Sequence, residues 1–381
     1  MKILVLLNSD FGIQNTIGAR ALPIARNLLK KKALAKIICR DCNKNLKEFE
    51  DFIIKPIPLG NLIPKLLTGI PIYLTKRFPS NKLKNYIFEY FSKKYLKNLD
   101  FDILHSWDFT PKLYKLAKSK NSKIIQDVAM AFPNVLKNIK NSEKLFKNEK
   151  IELPNYVKDA LNYVDYFIVP SDFVKDSLIK EKISEQKIFV VPFGVDVKKF
   201  KPLENKDNKL FKVAFAGNIN NRKGIPYLIQ AWKELNLKDA ELNLYGRVYP
   251  EVKKYLKDAE KYNIRLHGFV SNINEELPKN HIFVFPSLLE GSAKSVYEAL
   301  ACGLPVITTY NSGSIIRDKV EGFIIPIQNV KAIKDKILYF YNHREQIKIF
   351  GKRARKLAEK YTLEIYGKRI VEIYKLVSEN E

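Results

Sequence analysis

Cysteine, tryptophan, methionine and histidine are all scarce in this chain of 381 residues, with three, two, two and four copies respectively. Three cysteines (Cys39, Cys42 and Cys302) cannot form a disulfide framework, and they fit a reducing, cytoplasmic setting. Cys39 and Cys42 form a CxxC, but no second such pair and no closely spaced histidine pair follows. Four zinc ligands are not at hand, so the pair reads as chance placement at a strand end. Long apolar runs are missing as well: spanning a bilayer takes about 18 residues, and the nearest stretch is the much shorter LLTGIPIYLT at 66–75. The N-terminal apolar run ends at Asn8 with no small-residue cleavage site, which reads as a buried first strand and not as a signal peptide. Acidic residues are the remaining deficit: 41 Asp and Glu face 67 Lys and Arg, for a net charge of +26. What the chain does have is core material, 46% hydrophobic residues with 23 Phe and 20 Tyr, enough for about two domains and too much for general disorder.

Strand-length apolar clusters alternate with helix-length amphipathic segments along the whole chain, the pattern of βα units around parallel sheets. Strands are expected at 2–7, 35–39, 102–105, 123–126, 166–170 and 187–191, then at 212–216, 241–245, 264–266, 281–285, 305–308 and 322–325. Helices are expected between them, including 21–31 and 172–181. The polar stretch KPLENKDNK at 201–209 has linker composition and places a boundary near 196–210. The reading is α/β, with an N-terminal domain over 1–195 and a C-terminal domain over 196–361. A last helix at 362–378 carries apolar residues at helical spacing and needs a surface to dock on, for which the first domain is the expected one.

In such sheets ligands sit beyond the carboxyl ends of strands, where backbone N–H groups at helix starts meet anions. The loop GNINNRKG, from Gly217 to Gly224, joins a strand to a helix with Arg222 and Lys223 inside it, residues suited to phosphate charge. Taken alone, it is also what an ordinary polar loop on a basic protein looks like. Neither a Walker A loop nor a GxGxxG fingerprint occurs, so hydride transfer loses most of its support. Further on, Glu290 and Glu298 lie eight residues apart around a helix expected to start near Ser292. There Gly291, Ser292 and Ala293 offer small side chains and N–H groups at the positive end of the helix dipole, and Glu298 can accept two hydroxyl protons at once. Asp100-Phe101-Asp102 precedes a strand instead of ending one, reads as a plain strand entrance, and no metal is expected.

The segment PSLLEGSAKSVYEALACGLPVITT resembles the E-x7-E signature of the retaining GT-B glycosyltransferases known as glycosyl transferases group 1. LYGRVY, IRLHGFV, NSGSIIRDKVEGFIIP, VDYFIVPSDFVKDSL and KIFVVPFGVDVKKF resemble further segments of that family, and only 41–99 matches it weakly. The resemblance implies two Rossmann-like domains facing each other across a cleft, with a nucleotide-sugar as substrate and no cofactor. It implies that Glu298 binds the ribose, that Lys223 with Arg222 holds the diphosphate, that Glu290 faces the donor sugar, and that Phe269 and Val270 neighbour the base. Gly217 begins the loop as in the family, whose usual next residue is Arg; here it is Asn218, which leaves Arg222 to supply part of the charge. FDILHSWDF resembles a family segment with two histidines two apart, kept here as His105 and replaced at Trp107. The resemblance makes His105 a catalytic candidate and Trp107, Asp108, Asp127 and Gly18 acceptor-side candidates. As a lone histidine at a strand end, His105 equally reads as a satisfied core residue.

Charge adds a partner class. Residues 1–195 hold 34 basic against 19 acidic residues, and 61–99 holds eight basic residues against Glu89, interleaved with aromatics. That mixture suits an anionic membrane surface, while a solvated lysine coat over core-facing residues accounts for it as well. Nucleic acid is disfavoured, because dispersed Lys outnumbers clustered Arg and no binding module is present. The expectation is a retaining hexosyltransferase, cytoplasmic or peripheral on the inner membrane face, acting on a glycan or lipid-linked acceptor. Alternatives are a nucleotide-sugar epimerase or phosphorylase on the same fold, and a non-catalytic basic binding protein.

Overall fold

A computed structural model describes residues 1–13, 17–57, 80–140, 145, 152–204 and 209–379, with side chains of the helix at 80–97 from residue 85 onward. In chain order the N-terminal half contains β1 (Ile3–Phe11), α1 (Gly18–Lys30), β2 (Leu34–Cys42), β3 (Ile53–Ile54), α2 (Ser80–Lys97), β4 (Ile103–Ser106), α3 (Pro111–Lys118), β5 (Lys123–Asp127), α4 (Asn155–Leu161), β6 (Tyr166–Val169), α5 (Asp172–Lys180) and β7 (Ile188–Val190). The C-terminal half contains β8 (Phe211–Ala216), α6 (Ile225–Leu235), β9 (Ala240–Tyr245), β10 (Ile264–Gly268), α7 (Ile273–Glu276), β11 (Ile282–Phe285), α8 (Lys294–Ala301), β12 (Val306–Thr309), β13 (Gly322–Ile325), α9 (Val330–Asn342), α10 (Arg344–Glu359) and α11 (Leu363–Glu379).

The strands form two sheets, of order β3-β2-β1-β4-β5-β6-β7 and β10-β9-β8-β11-β12-β13, and every neighbouring pair is parallel. Parallel strands covered on both faces must be apolar throughout, and β4, β11 and β12 are buried along their full lengths. The twelve expected strands are present, each shifted by at most a few residues. The two-residue β3 is additional; so short a strand carries no periodicity to read.

Both orders reverse beside the first strand of the sheet, between β1 and β4 and between β8 and β11. A crevice opens at such a reversal, because consecutive crossover helices leave on opposite faces. In the second sheet this brings together the loops after β8 and β11, which carry the Arg222-Lys223 pair and Glu290.

Helix α11 crosses back to the first half. Gly194 packs so tightly on the start of this crossing that an added Cβ would lie 2.4 Å from the Thr362 carbonyl, and Val195 bridges Thr362. Tyr366, Ile370 and Tyr374 of α11 are at most 2% exposed. Gly367 permits the contact with α1, since a Cβ there would stand 2.5 Å from the Pro23 carbonyl oxygen. Gly367→Ala is expected to cost about 1–3 kcal/mol by overpacking, measured as a lower thermal midpoint with faster amide exchange in α11.

Candidate functional site

The loop after β8 turns into α6 at Gly224, whose φ is +71° and whose Cβ would fall 2.0 Å from the Pro286 carbonyl oxygen. Only glycine fits a left-handed residue against another backbone. The turn thereby presses the β8 loop against the β11 loop, and Leu288 N–H donates to the Arg222 carbonyl at 2.8 Å.

Across this contact one oxygen of Glu290 accepts from both cations, Arg222 Nη1 at 2.6 Å and Lys223 Nζ at 2.5 Å. Arg222 Nη1 also donates to the Leu289 carbonyl at 2.9 Å, and Lys223 Nζ lies 4.8 Å from the centre of the Phe285 ring. Burial pushes the Lys223 ammonium below the ordinary lysine value, Glu290 resists that shift, and the Arg222 charge adds to it. The Lys223 and Glu290 side chains are only 12% and 11% exposed. Two cations on one carboxylate leave a net positive charge in a poorly solvated crevice, a ready place for an anion.

Glu298 lies in the second turn of α8, 7% exposed, with Lys294 Nζ 3.1 Å away. Burial raises its carboxyl above the ordinary range, opposed by Lys294 and then Lys199. The helix starts at Lys294, two residues later than expected. Ala293 N–H is not free for a ligand, because it donates to the Ser312 carbonyl at 3.1 Å. Ser292 Oγ donates to the Gly313 carbonyl and pairs with Tyr297 Oη, each at 2.8 Å. Gly291 serves another purpose than ligand approach: its Cβ would lie 1.7 Å from the Ala129 carbonyl oxygen of the first half. At the rim, Phe269 is 78% exposed and Val270 partly buried, while Asn218 is exposed and Gly217 partly buried at the start of the β8 loop.

The first half departs from expectation. His105 is fully buried instead of lining the cleft: Nδ1 bonds Tyr374 Oη, Nε2 sits 3.7 Å from Asp127 Oδ2, and the ring stacks on Trp107 at 4.2 Å. Both ring nitrogens thus face protein, and the histidine bonds α11 to the carboxyl ends of β4 and β5. Trp107 and Asp127 are 6% and 2% exposed, so the same cluster takes both below the surface. Gly18 is a packing glycine, whose Cβ would meet the Asp10 carbonyl oxygen at 2.0 Å. Asp108 stays partly buried at the strand end, where Oδ2 accepts Asn8 N–H at 2.6 Å. Burial raises its carboxyl, against the Asn8 N–H and the Arg40 charge. Asp102 anchors the chain start, accepting Lys2 N–H at 2.6 Å, and among the described residues no cluster of metal-ligating side chains occurs.

Buried polar atoms around His105 lack hydrogen-bond partners among the described residues: His105 Nε2, Trp107 Nε1, both Asp127 oxygens, Tyr366 Oη and Arg20 Nη1. Sequence reasoning missed Arg20, Tyr366 and Tyr374, which meet these strand ends only through the fold, and also Asn8 and Arg40. The two tyrosines did appear as apolar-spaced positions of the last helix, which hides their hydroxyls.

Two parallel sheets with facing crevices, one of them cationic, define the GT-B architecture. Family models for "Glycosyl transferases group 1" and "Glycosyltransferase Family 4" match residues 211–343 and 21–199, and the chain belongs to these glycosyltransferases. It is 24% identical to an uncharacterised glycosyltransferase of Methanocaldococcus jannaschii, over 75% of this chain and 79% of that one. It is also 24% identical to the N,N'-diacetylbacillosaminyl-diphospho-undecaprenol alpha-1,3-N-acetylgalactosaminyltransferase of Campylobacter jejuni, over 88% and 94%. Identity to the poly(glycerol-phosphate) alpha-glucosyltransferase of Bacillus subtilis is 25%, over 47% of this chain and only 28% of that enzyme's length. Among solved structures, HepE of Anabaena in complex with UDP superposes with a TM-score of 0.71 at 15% identity, over 98% of this chain and 100% of that one. Sucrose-phosphate synthase of Thermosynechococcus elongatus gives 0.74 at 17% identity, over 100% of both.

The orphaned hydroxyl of Tyr366 and the bonded one of Tyr374 predict opposite outcomes. Tyr366→Phe is expected to leave the thermal midpoint unchanged or raised, whereas Tyr374→Phe strands His105 Nδ1 and is expected to cost about 1–3 kcal/mol.

Proposed function

We propose that the chain is a retaining hexosyltransferase that moves a sugar from a nucleotide-diphosphate donor to a hydroxyl of an anionic, lipid-linked or glycan acceptor. The observation that carries this reading is the convergence of Arg222 and Lys223 on the single carboxylate of Glu290 at the β8–β11 crevice. The donor diphosphate supplies the negative charge that the site lacks, and Glu290 swings or shares to face the sugar. Glu298 takes the ribose hydroxyls, and the exposed ring of Phe269 offers a platform for the base.

In the chemical step the acceptor oxygen bonds the anomeric carbon while the bond from that carbon to the diphosphate oxygen breaks on the same face. The departing phosphate oxygen takes the acceptor proton, so no protein base is required. This agrees with a His105 that is fully buried, with Nδ1 bonded to Tyr374 Oη. Lys223 and Arg222 stabilise the charge growing on the diphosphate, which serves in place of a divalent ion. The same charges would stabilise departure of the nucleotide diphosphate whichever acceptor attacks.

An anionic acceptor suits the basic first half and is supported by two relatives named for diphospho-undecaprenol and poly(glycerol-phosphate) substrates. Helix α2 turns Tyr86 and Tyr90 outward, 53% and 67% exposed, beside exposed Lys93, Lys94 and Lys97. Aromatic rings with basic groups on one helix face fit the inner surface of an anionic membrane. The stretch 61–79, which shares this composition, lies outside the described residues. Among those residues no helix is long and apolar enough to cross a membrane.

Lys223→Ala is expected to lower kcat/KM by about 10²–10³-fold, and Glu298→Ala to weaken nucleotide binding. Unchanged turnover and nucleotide affinity in both would overturn the reading, and the anomeric proton coupling of the product reads retention directly. Because Lys223 loses its charge at a lower pH than an ordinary lysine, nucleotide-diphosphate affinity should fall early on the alkaline side. Lys223→Arg should move that fall to higher pH, as measured by calorimetric titration across the range.

A further inference from the structure

The loop that carries Glu290 is held from both sides of the domain boundary. On its own side, Glu290 N–H donates to the Asn311 carbonyl and Asn311 Nδ2 to the Leu288 carbonyl, both at 2.9 Å. On the other side the first half grips it. Leu288 and Leu289, 0% and 3% exposed, complete a hydrophobic cluster otherwise formed by first-half residues such as Phe132, Leu136 and Phe173. Ser171 Oγ donates to the Gly291 carbonyl at 2.6 Å while accepting Val174 N–H at 3.4 Å as the cap of α5. The Ala129 carbonyl occupies the place a Gly291 side chain would need.

We infer that Ser171 is a positioning residue: through Gly291 it sets the Glu290 carboxylate against Arg222 and Lys223, so the first domain completes the donor site of the second. The inference rests on the donor-site reading above. Glu290 is one residue from the carbonyl that Ser171 holds, and its backbone N–H is tied to Asn311, so the loop has little freedom to shift unless that hydrogen bond is lost. Leu288 and Leu289 give the docking its apolar area, whereas the Ser171 hydroxyl gives it direction. A carbonyl accepts from a donor only within a limited arc, and this one therefore fixes the rotation of the Gly291–Ser292 peptide, directly after Glu290.

Ser171→Gly separates the two roles of the hydroxyl, because glycine is itself a good helix cap and cannot donate to Gly291. The full chain carrying Ser171→Gly is expected to lose about tenfold in kcat, the loss of one buried hydrogen bond, with KM for the nucleotide-sugar and affinity for the nucleotide diphosphate within about twofold of wild type. Ser171→Thr, which keeps the hydroxyl, should restore kcat. Independently of turnover, amides of 288–293 should exchange faster in Ser171→Gly while those of α5 do not. Unchanged exchange in 288–293 overturns the inference, as does a loss of nucleotide affinity that parallels the loss of turnover. A wild-type protein that transfers no sugar, yet shows the exchange difference, rejects the donor-site reading and leaves the positioning contact in place.

Discussion

One carboxylate oxygen of Glu290, shared by the Arg222 guanidinium and the Lys223 ammonium, is the contact on which the organisation of this protein turns. Removed from most solvent, either cation alone would be costly and the carboxylate alone more so; together they leave an excess charge of one sign at one point. The strand order sets the β8 and β11 loops on either side of that point; a backbone contact that tolerates no Cβ, Gly224 on Pro286, presses one loop on the other, and a second, Gly291 on Ala129, presses the β11 loop on the first domain.

The first domain depends on a different buried cluster. His105, Trp107 and Asp127 at strand ends, Arg20 on α1, and Tyr366 and Tyr374 on α11 collect polar groups where the chain crosses back. Most core contacts of α11 are apolar and would hold it at several registers. The Tyr374 hydroxyl on His105 selects one, and Gly367 on Pro23 brings the two helices close enough for it to reach. Orphaned atoms beside that bond cost free energy unless water reaches them, which lowers the stability of docking relative to an all-apolar seam. The return helix is therefore held in a defined place without being held as tightly as its buried area allows.

Legibility in the sequence follows how local each signal is. β11 and β12 are read correctly because a continuous apolar run between turn residues has no other comfortable fate. Glu290, Arg222 and Lys223 stand out in the sequence because charged residues at strand ends are visible without partners, but only the fold shows that they meet. The start of α8 is misplaced by two residues because Gly291 and Ser292 look like a helix entrance; their positions are dictated by Ala129, Ser171 and Gly313, which are distant in sequence. His105 is an instance of the same limit. A histidine at the end of a strand is ambiguous until Tyr374, 269 residues later, is seen to occupy Nδ1. Ser171 shows the limit in its sharpest form, since its only local meaning is a helix cap and its second bond reaches 120 residues away.

The excess positive charge divides along the same lines. Two cations belong to the crevice, and there the charge is concentrated by burial, so its effect on a bound anion is strong and little screened. The many lysines of the first domain are mostly exposed, and each exposed charge acts over no more than about a Debye length of 8–10 Å in physiological salt. They can raise the local concentration of an anionic acceptor or surface, but they cannot orient it. Bonded side chains at the strand ends have the restricted geometry that a solvated coat lacks; among them Asp108, tied to Asn8 N–H, and the Arg40–Asp10 pair are partly open to solvent. Under the proposed reading, attraction and alignment would fall to different residues, the first to a broad coat and the second to a few bonded side chains at the strand ends.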